Sequence, residues 1–333
     1  MKIIDKLGAL KSLLSVKFFN RRIPLAVRVQ VTNQCPNRCL YCNIWSEKVA
    51  VPSKQRLFSL LDQLKNLGTK KISFSGGEPM LRDDIGGIID YCKNLGISPE
   101  INSRGCLMEK RIHSLKKLDL LKVSIDGPEE IHDFLSQRKG AFKEAIKAIE
   151  LATQYGIKVA LAATITKYNL PHLDYLLSLA KKYNTRIAFQ PLKKFSRGVE
   201  KMEHLYPDVK EYRQKITRLI ELKSNGCRRF IRNSLAGLKH IYHWPQYPRL
   251  KCSAGKLFCI IEPDGTLEPC DRINYTEVLP NCFETKIKDA LAELPEVKCS
   301  GCGFCGSLEL NFLYSFKFGT LPEILWLLSQ RSK

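Results

Sequence analysis

Between residues 26 and 192 the chain alternates strand-like and helix-like segments, and that alternation does most to narrow its fold. The β-rich runs are AVRVQVT (26–32), ISFSG (72–76), SPEIN (98–102), LKVSID (121–126), IKVALAATI (157–165) and RIAFQPL (186–192). Apolar residues at helical spacing mark 83–95, 108–118, 140–155 and 170–183 between them. Strands joined by helices pair in parallel, because the helix is the crossover that returns the chain to the same end of the sheet. The reading is therefore α/β, a partial (β/α)6 TIM-like barrel. In such barrels the chemistry gathers at the C-terminal ends of the strands, and the polar and cysteine motifs fall there.

The rest of the chain has a different texture. Helical spacing continues through 208–224 and 230–243, and from Pro245 onward the segments are short, punctuated by Gly and Pro, and rich in Cys. A chain of 333 residues with 44% hydrophobic content can bury one large core plus an appendage. This suggests a basic amphipathic helix over 1–22, a barrel core over 23–225, a small cysteine-rich, metal-held module over 226–307 and an apolar aromatic tail over 308–333.

In the first of these, Ile3, Ile4, Leu7, Leu10, Leu13, Leu14 and Phe18 alternate with Lys2, Lys6, Lys11 and Lys17. The tail adds Phe312, Tyr314, Phe316, Phe318, Leu325, Trp326, Leu327 and Leu328. Together they predict a surface that rests on an anionic bilayer. No apolar run reaches the roughly 18 residues needed to span one.

Thirteen cysteines without a cleavable signal peptide point to metal ligands in reducing cytosol rather than a secreted disulfide scaffold. The expected location is thus cytoplasmic, with peripheral contact at the inner face of the membrane. With 54 Lys and Arg against 33 Asp and Glu, the net charge of +21 predicts an anionic partner or substrate. Nucleic acid is the less expected choice, since no compact RNA-binding motif is present.

Cys35, Cys39 and Cys42 supply three thiolates on one short loop after the first strand, enough for three irons of a 4Fe-4S cluster with the fourth left open. Zinc is the alternative for closely spaced thiols, but neither Cys nor His occurs between Asn43 and Tyr91 to complete its tetrahedron. The spacing C-x3-C-x2-C, with Tyr41 before the third cysteine, resembles the radical S-adenosylmethionine (SAM) superfamily. The resemblance runs over 27–192 and is carried further by Ser75, Gly76, Gly77, Glu78 and Pro79, which look like the family's GGEP motif for the cofactor's amino group.

Asn102 and Ser103 resemble part of its Thr-Asn-Gly segment, from which Arg104 departs. Ser124 and Asp126 resemble a Ser-x-Asp-Gly pattern facing the cofactor's ribose and methionine ends. The resemblance implies that SAM binds the open iron and is cleaved reductively to a 5′-deoxyadenosyl radical, which abstracts hydrogen from a substrate C–H bond. It also implies an external electron donor of flavodoxin or ferredoxin type.

Cys252, Cys259, Cys270, Cys299, Cys302 and Cys305 resemble the SPASM and twitch auxiliary domains of such enzymes, implying at least one auxiliary 4Fe-4S cluster. Asp264-Gly265 is a hairpin signal that brings Cys252 and Cys270 together. With Cys282 there are seven thiols, one short of two fully ligated clusters. The favoured set is Cys252, Cys270 and members of the Cys299 group; a zinc ribbon stays open, and iron content decides. Cys92 and Cys106 read as small buried hydrophobes, Cys227 is undetermined, and His240-x2-His243 reads as an ordinary helix face.

Lys193, Lys194 and Arg197 follow the sixth strand, so they are expected at the mouth of the barrel, where they suit a substrate phosphate or carboxylate. The substrate is expected to be a peptide, a lipid-linked precursor or a phosphorylated small molecule. RNA modification is a second enzymatic option. The reading from another class is a non-catalytic iron–sulfur electron carrier or metal-dependent nucleic-acid-binding protein, which leaves the GGEP-like segment unexplained.

Overall fold

The computed structural model describes residues 3–193, 202–297, 299 and 301–315, with side chains from Lys11 onward. Six strands, β1 (Ala26–Gln30), β2 (Lys71–Ser75), β3 (Ser98–Ser103), β4 (Leu120–Ser124), β5 (Val159–Ile165) and β6 (Arg186–Pro191), lie side by side in chain order, each parallel to the next.

Their side chains alternate between two environments, as a pleated strand requires. Val27, Val29, Ile72, Phe74, Leu121, Val123, Leu161, Ile187 and Phe189 are buried in one large core with residues of the surrounding helices such as Leu57, Leu61, Ile88 and Leu176. On β2, β3 and β4 the alternate positions are largely polar and meet across the strands: Asn102 Nδ2 donates to Ser73 Oγ at 3.1 Å, and Lys122 Nζ lies 2.6 Å from Glu100 Oε2. A one-residue slip of any strand would exchange these sets, so the register is strongly specified. Burial alone would raise the Glu100 carboxyl, but the cations of Lys122, Lys71 and Arg232 overcome it and hold its pKa at about 2.

The sheet curls. Arg28 on β1 and Lys193 just past β6 both pair with Asp271 at 2.8 Å, although their strands lie five places apart in the sheet. The lumen of the partial barrel is therefore polar and flanked by charged side chains.

The cysteine-rich region is joined to the barrel through the sheet. Its first strand, β7 (Phe258–Ile261), pairs in parallel with β1 and extends the sheet. The antiparallel β8 (Leu267–Glu268) follows through the expected turn at Asp264-Gly265. All four residues of β7, FCII, are buried, which is the continuous apolar pattern of a parallel strand covered on both faces.

The helix expected over 230–243 is shorter, Leu235–Ile241, because Ile231 instead bridges to Ile187 and Ser234 caps the helix by accepting from Gly237 N at 2.8 Å. At the other end, the helix Ile3–Phe18 buries Leu13 and Val16 against Leu257 and Leu313, while Leu14, Phe18 and Phe19 are exposed. Among the described residues no helix is long and apolar enough to cross a membrane.

Candidate active site

The loop bearing Cys35, Cys39 and Cys42 leaves the C-terminal end of β1 and is tied down on two sides. On one side Gly77 N donates to Thr32 O at 2.7 Å and Glu78 N to Gln34 O at 2.8 Å; on the other, Arg38 N and Leu40 N donate to Ser136 O and Leu135 O at 3.1 and 3.0 Å. Within it, Cys42 N donates to Cys39 O at 3.0 Å, and Arg38 Nη1 to Cys35 O at 2.7 Å. Arg82 supports it from below, donating to Val31 O at 3.2 Å and Pro52 O at 2.9 Å.

All three cysteines are half-buried. Burial pushes the Cys35 thiol up and the Cys39 thiol to about 12, partly opposed by the Arg104 cation. Among the described residues no three His, Cys, Asp or Glu side chains converge closely enough for a single metal ion. An iron–sulfur cube asks for a different arrangement, since each thiolate binds a separate iron.

The glycines expected to admit a ligand first admit this loop. A Cβ on Gly76, whose φ is +124°, would stand 2.0 Å from Thr32 O, and one on Gly77 would stand 2.0 Å from Gln34 O. Because backbone cannot yield as a flexible side chain can, Gly77→Ala is expected to push the loop away from β2. The cost should be about 1–3 kcal/mol of stability, with clear loss of iron after anaerobic reconstitution while far-UV circular dichroism stays unchanged. Full iron loading of a folded Gly77→Ala protein would show that the loop does not depend on this contact.

Glu78 is fully buried and braces the next loop: its carboxylate accepts from Met80 N (3.1 Å), Ser103 Oγ (2.9 and 3.0 Å) and Arg104 N (2.9 Å). Burial raises its pKa to about 6 despite these donors. Pro79 is buried at the start of the short helical turn Pro79–Leu81. Asp126 is likewise engaged by the protein itself. Its Oδ1 accepts from Thr164 N at 2.9 Å, and its Oδ2 accepts from Arg104 Nη1 at 3.1 Å and from the Tyr41 hydroxyl.

Arg104, where the sequence departs from the family pattern, also reaches Ser136 Oγ at 3.0 Å and Tyr41. It links the third and fourth strand ends to the cysteine loop. Asn102 bonds Ser73, Ser75 O accepts from Val31 N at 2.9 Å, and Ser124 is half-buried at the end of β4.

The later cysteines divide into two places. Cys252 packs against the small cluster that holds Cys270, and Cys302 lies within electrostatic reach of Cys252, Cys270 and Cys299. Cys305 adjoins Cys302 and turns its thiol to Phe189 O at 3.1 Å. Cys259 does not join them. It points into the main core beside Cys282, because the register of β7 puts it with Val27 on the helix-facing side.

Residues that the sequence reading passed over hold this module to the barrel. Gln190 donates to Gly303 O at 2.7 Å and accepts from Cys305 N at 2.9 Å. His240, on a face that read as ordinary, is buried with its Nε2 2.9 Å from Cys302 O. Asn311 accepts from Ser253 N and Oγ at 2.9 and 2.7 Å. Cys92 and Cys106 are buried, as expected, and Cys227 is half-buried. Lys193 is bound to Asp271; Lys194, Arg197 and the tail residues from Phe316 onward lie outside the described residues.

A partial parallel barrel whose first strand ends in C-x3-C-x2-C, with a GGEP loop bonded to it from the second, defines the radical SAM class of enzymes. Residues 29–180 match the profile of the Radical SAM superfamily. That family uses a 4Fe-4S cluster and SAM. The chain is 30% identical over 198 residues to the Fe-coproporphyrin III synthase of Methanosarcina barkeri, a match that covers 57% of this chain and only about half, 49%, of that protein. It is 25% identical over 303 residues to the mycofactocin maturase MftC of Mycolicibacterium smegmatis, covering 86% of this chain and 76% of that one. Among solved structures, SuiB of Streptococcus suis bound to S-adenosylmethionine shares the fold with a TM-score of 0.68 at 18% identity, over 85% of this chain and 69% of that one.

Proposed function

We propose that this chain removes a hydrogen atom from an unreactive C–H bond of its substrate, using a cluster held by Cys35, Cys39 and Cys42 and SAM seated against the GGEP loop. The observation that carries this reading is the direct bonding of Gly77 N and Glu78 N to the carbonyls just ahead of Cys35. Three soft thiols on one loop suit iron, and burial raises the Cys35 and Cys39 thiols, so that binding of metal is what displaces their protons. When bound, the cluster supplies the electron that cleaves the SAM sulfonium and so yields a 5′-deoxyadenosyl radical.

The protein's own contribution is position and exclusion. Glu78 fixes the turn after β2, Ser103 and Arg104 fix the turn after β3, and Asp126 fixes Tyr41. Cys252, Cys270, Cys299 and Cys302 would hold an auxiliary cluster against β6, with Cys305 next to them. The substrate is anionic in this reading, in keeping with the +21 charge. That charge also favours docking of an acidic, flavodoxin- or ferredoxin-type donor. Kinship does not choose the substrate class, since the relatives include a porphyrin synthase and a mycofactocin maturase.

The test is anaerobic reconstitution with iron counting, then mass spectrometry after reduction in the presence of SAM. Release of 5′-deoxyadenosine is expected; a fully loaded protein that releases none is an electron carrier instead. A membrane contact belongs to the same reading, because Phe18 and Phe19 are 67% and 75% exposed beside Lys17 and Arg21. The full chain should float with anionic liposomes at low salt and detach at high salt. Failure to float in either condition ends that part of the proposal.

A further inference from the structure

Three cations meet where the barrel lumen adjoins the cysteine module. Arg28 comes from β1, Lys193 follows β6, and Arg272 lies two residues beyond Cys270. Among the described residues one carboxylate, Asp271, faces all of them. Its Oδ2 accepts from Arg28 Nη1 and Lys193 Nζ, each at 2.8 Å, whereas Arg272 Nε stands 3.8 Å from Oδ1, beyond hydrogen-bond range. The Phe304 ring is shared by both guanidiniums, whose Cζ atoms lie 4.8 and 4.9 Å from its centroid.

The balance among these groups is three positive charges to one negative, in a place where the cationic side chains are only 17–26% exposed. Arg272 Nε is buried with no hydrogen-bond partner among the described residues. A buried Nε–H with no hydrogen-bond partner among the described residues carries a desolvation cost that a bound acceptor would offset. A planar fork of N–H groups fits a carboxylate or phosphate in bidentate fashion. The Phe304 face keeps that fork oriented by a cation–π contact.

We propose that Arg28, Lys193 and Arg272 seat an anionic group of the substrate, a carboxylate or a phosphate, and so hold the substrate between the SAM end of the lumen and the cysteine module. This rests on the radical SAM reading of the lumen as the active site. A competing role for Arg272 is to offset the thiolates of Cys270, Cys302 and Cys305, which it also faces.

The roles separate in one experiment. Reconstituted holoenzyme with SAM is titrated calorimetrically at fixed ionic strength with inorganic phosphate and, separately, with succinate. Saturable binding of at least one probe is expected, phosphate alone pointing to a phosphorylated substrate and succinate to one bearing carboxylates. Arg272→Met and Arg28→Met should weaken it at least about tenfold, the loss of one bidentate charged contact, and Arg272→Lys should weaken it less.

Lys143→Met, on an exposed surface position, is expected to bind like wild type. If Arg28→Met does not fold, the two Arg272 variants decide. The proposal is overturned if neither probe saturates, or if Arg272→Met keeps wild-type affinity while losing iron. Iron content and 5′-deoxyadenosine release are read on the same samples, so a wild type that binds the probe without releasing 5′-deoxyadenosine refutes the radical reading and leaves the anion seat standing.

Discussion

Cys39→Ala is expected to fold, to hold about four fewer irons per chain than wild type, and to release no detectable 5′-deoxyadenosine. Three thiolates each carry one iron of the cube, so removal of one leaves two, and no Cys or His lies nearby in the sequence to replace it. A fall in release of at least about 10³-fold, equivalent to roughly 4 kcal/mol, separates loss of the reacting centre from a damaged but working one. Cys252→Ala supplies the contrast: about four irons should again be lost, yet release of 5′-deoxyadenosine should persist, because the first loop is untouched. Cys259→Ala should lose no iron, since its side chain lies in the main core beside Cys282. Persistent cleavage in Cys39→Ala, or iron loss in Cys259→Ala, would reassign the ligands.

The three variants also mark what can and cannot be read from sequence. The strands after Ala26 were legible because alternation of buried and polar residues is a local pattern that parallel pairing leaves intact. The helix Lys54–Asn66 carries its own local signal, with Leu57, Leu60, Leu61 and Leu64 on one buried face and Ser53 capping Arg56 N at 3.2 Å. The place of Cys259 was not legible. Spacing puts it between Cys252 and Cys270, and only the register of β7 against β1 turns it away from them.

The same holds for Gly76 and Gly77. As a motif they announce a close approach, yet what they approach is Thr32 to Gln34, a contact made by folding and invisible along the chain. Membership of β7 in the barrel sheet was hidden by composition, because four apolar residues amid Gly, Pro and Cys carry little weight in a window.

Arg104 is where sequence and structure differ most in what they disclose, and Arg104→Met should be among the most destabilising single substitutions near the site. Along the chain Arg104 is only a departure from a family pattern. In the fold it is a buried cation with one nitrogen between Asp126 and Ser136 and another on Tyr41, while its backbone N–H holds Glu78. The Asp126 side chain is 1% exposed, so removing its cation leaves a buried charge supported, among the described residues, by Thr164 N and the Tyr41 hydroxyl. Breaking such a pair costs about 3–5 kcal/mol, and denaturant unfolding of the metal-free chain under reducing conditions should show it. The Cys39 thiol, pushed up by burial and held down by Arg104, should rise further in the variant and make iron loading harder at neutral pH. If the stranded carboxylate is the cause, Arg104→Met/Asp126→Asn should recover most of the loss, a coupling of about 1.5–3 kcal/mol within the usual range for contacting residues. Strict additivity of the two substitutions would show instead that Arg104 acts through packing alone, and Arg104→Lys, which keeps the charge but loses the fork, should fall between wild type and Arg104→Met only if the ion pair is what the fold depends on.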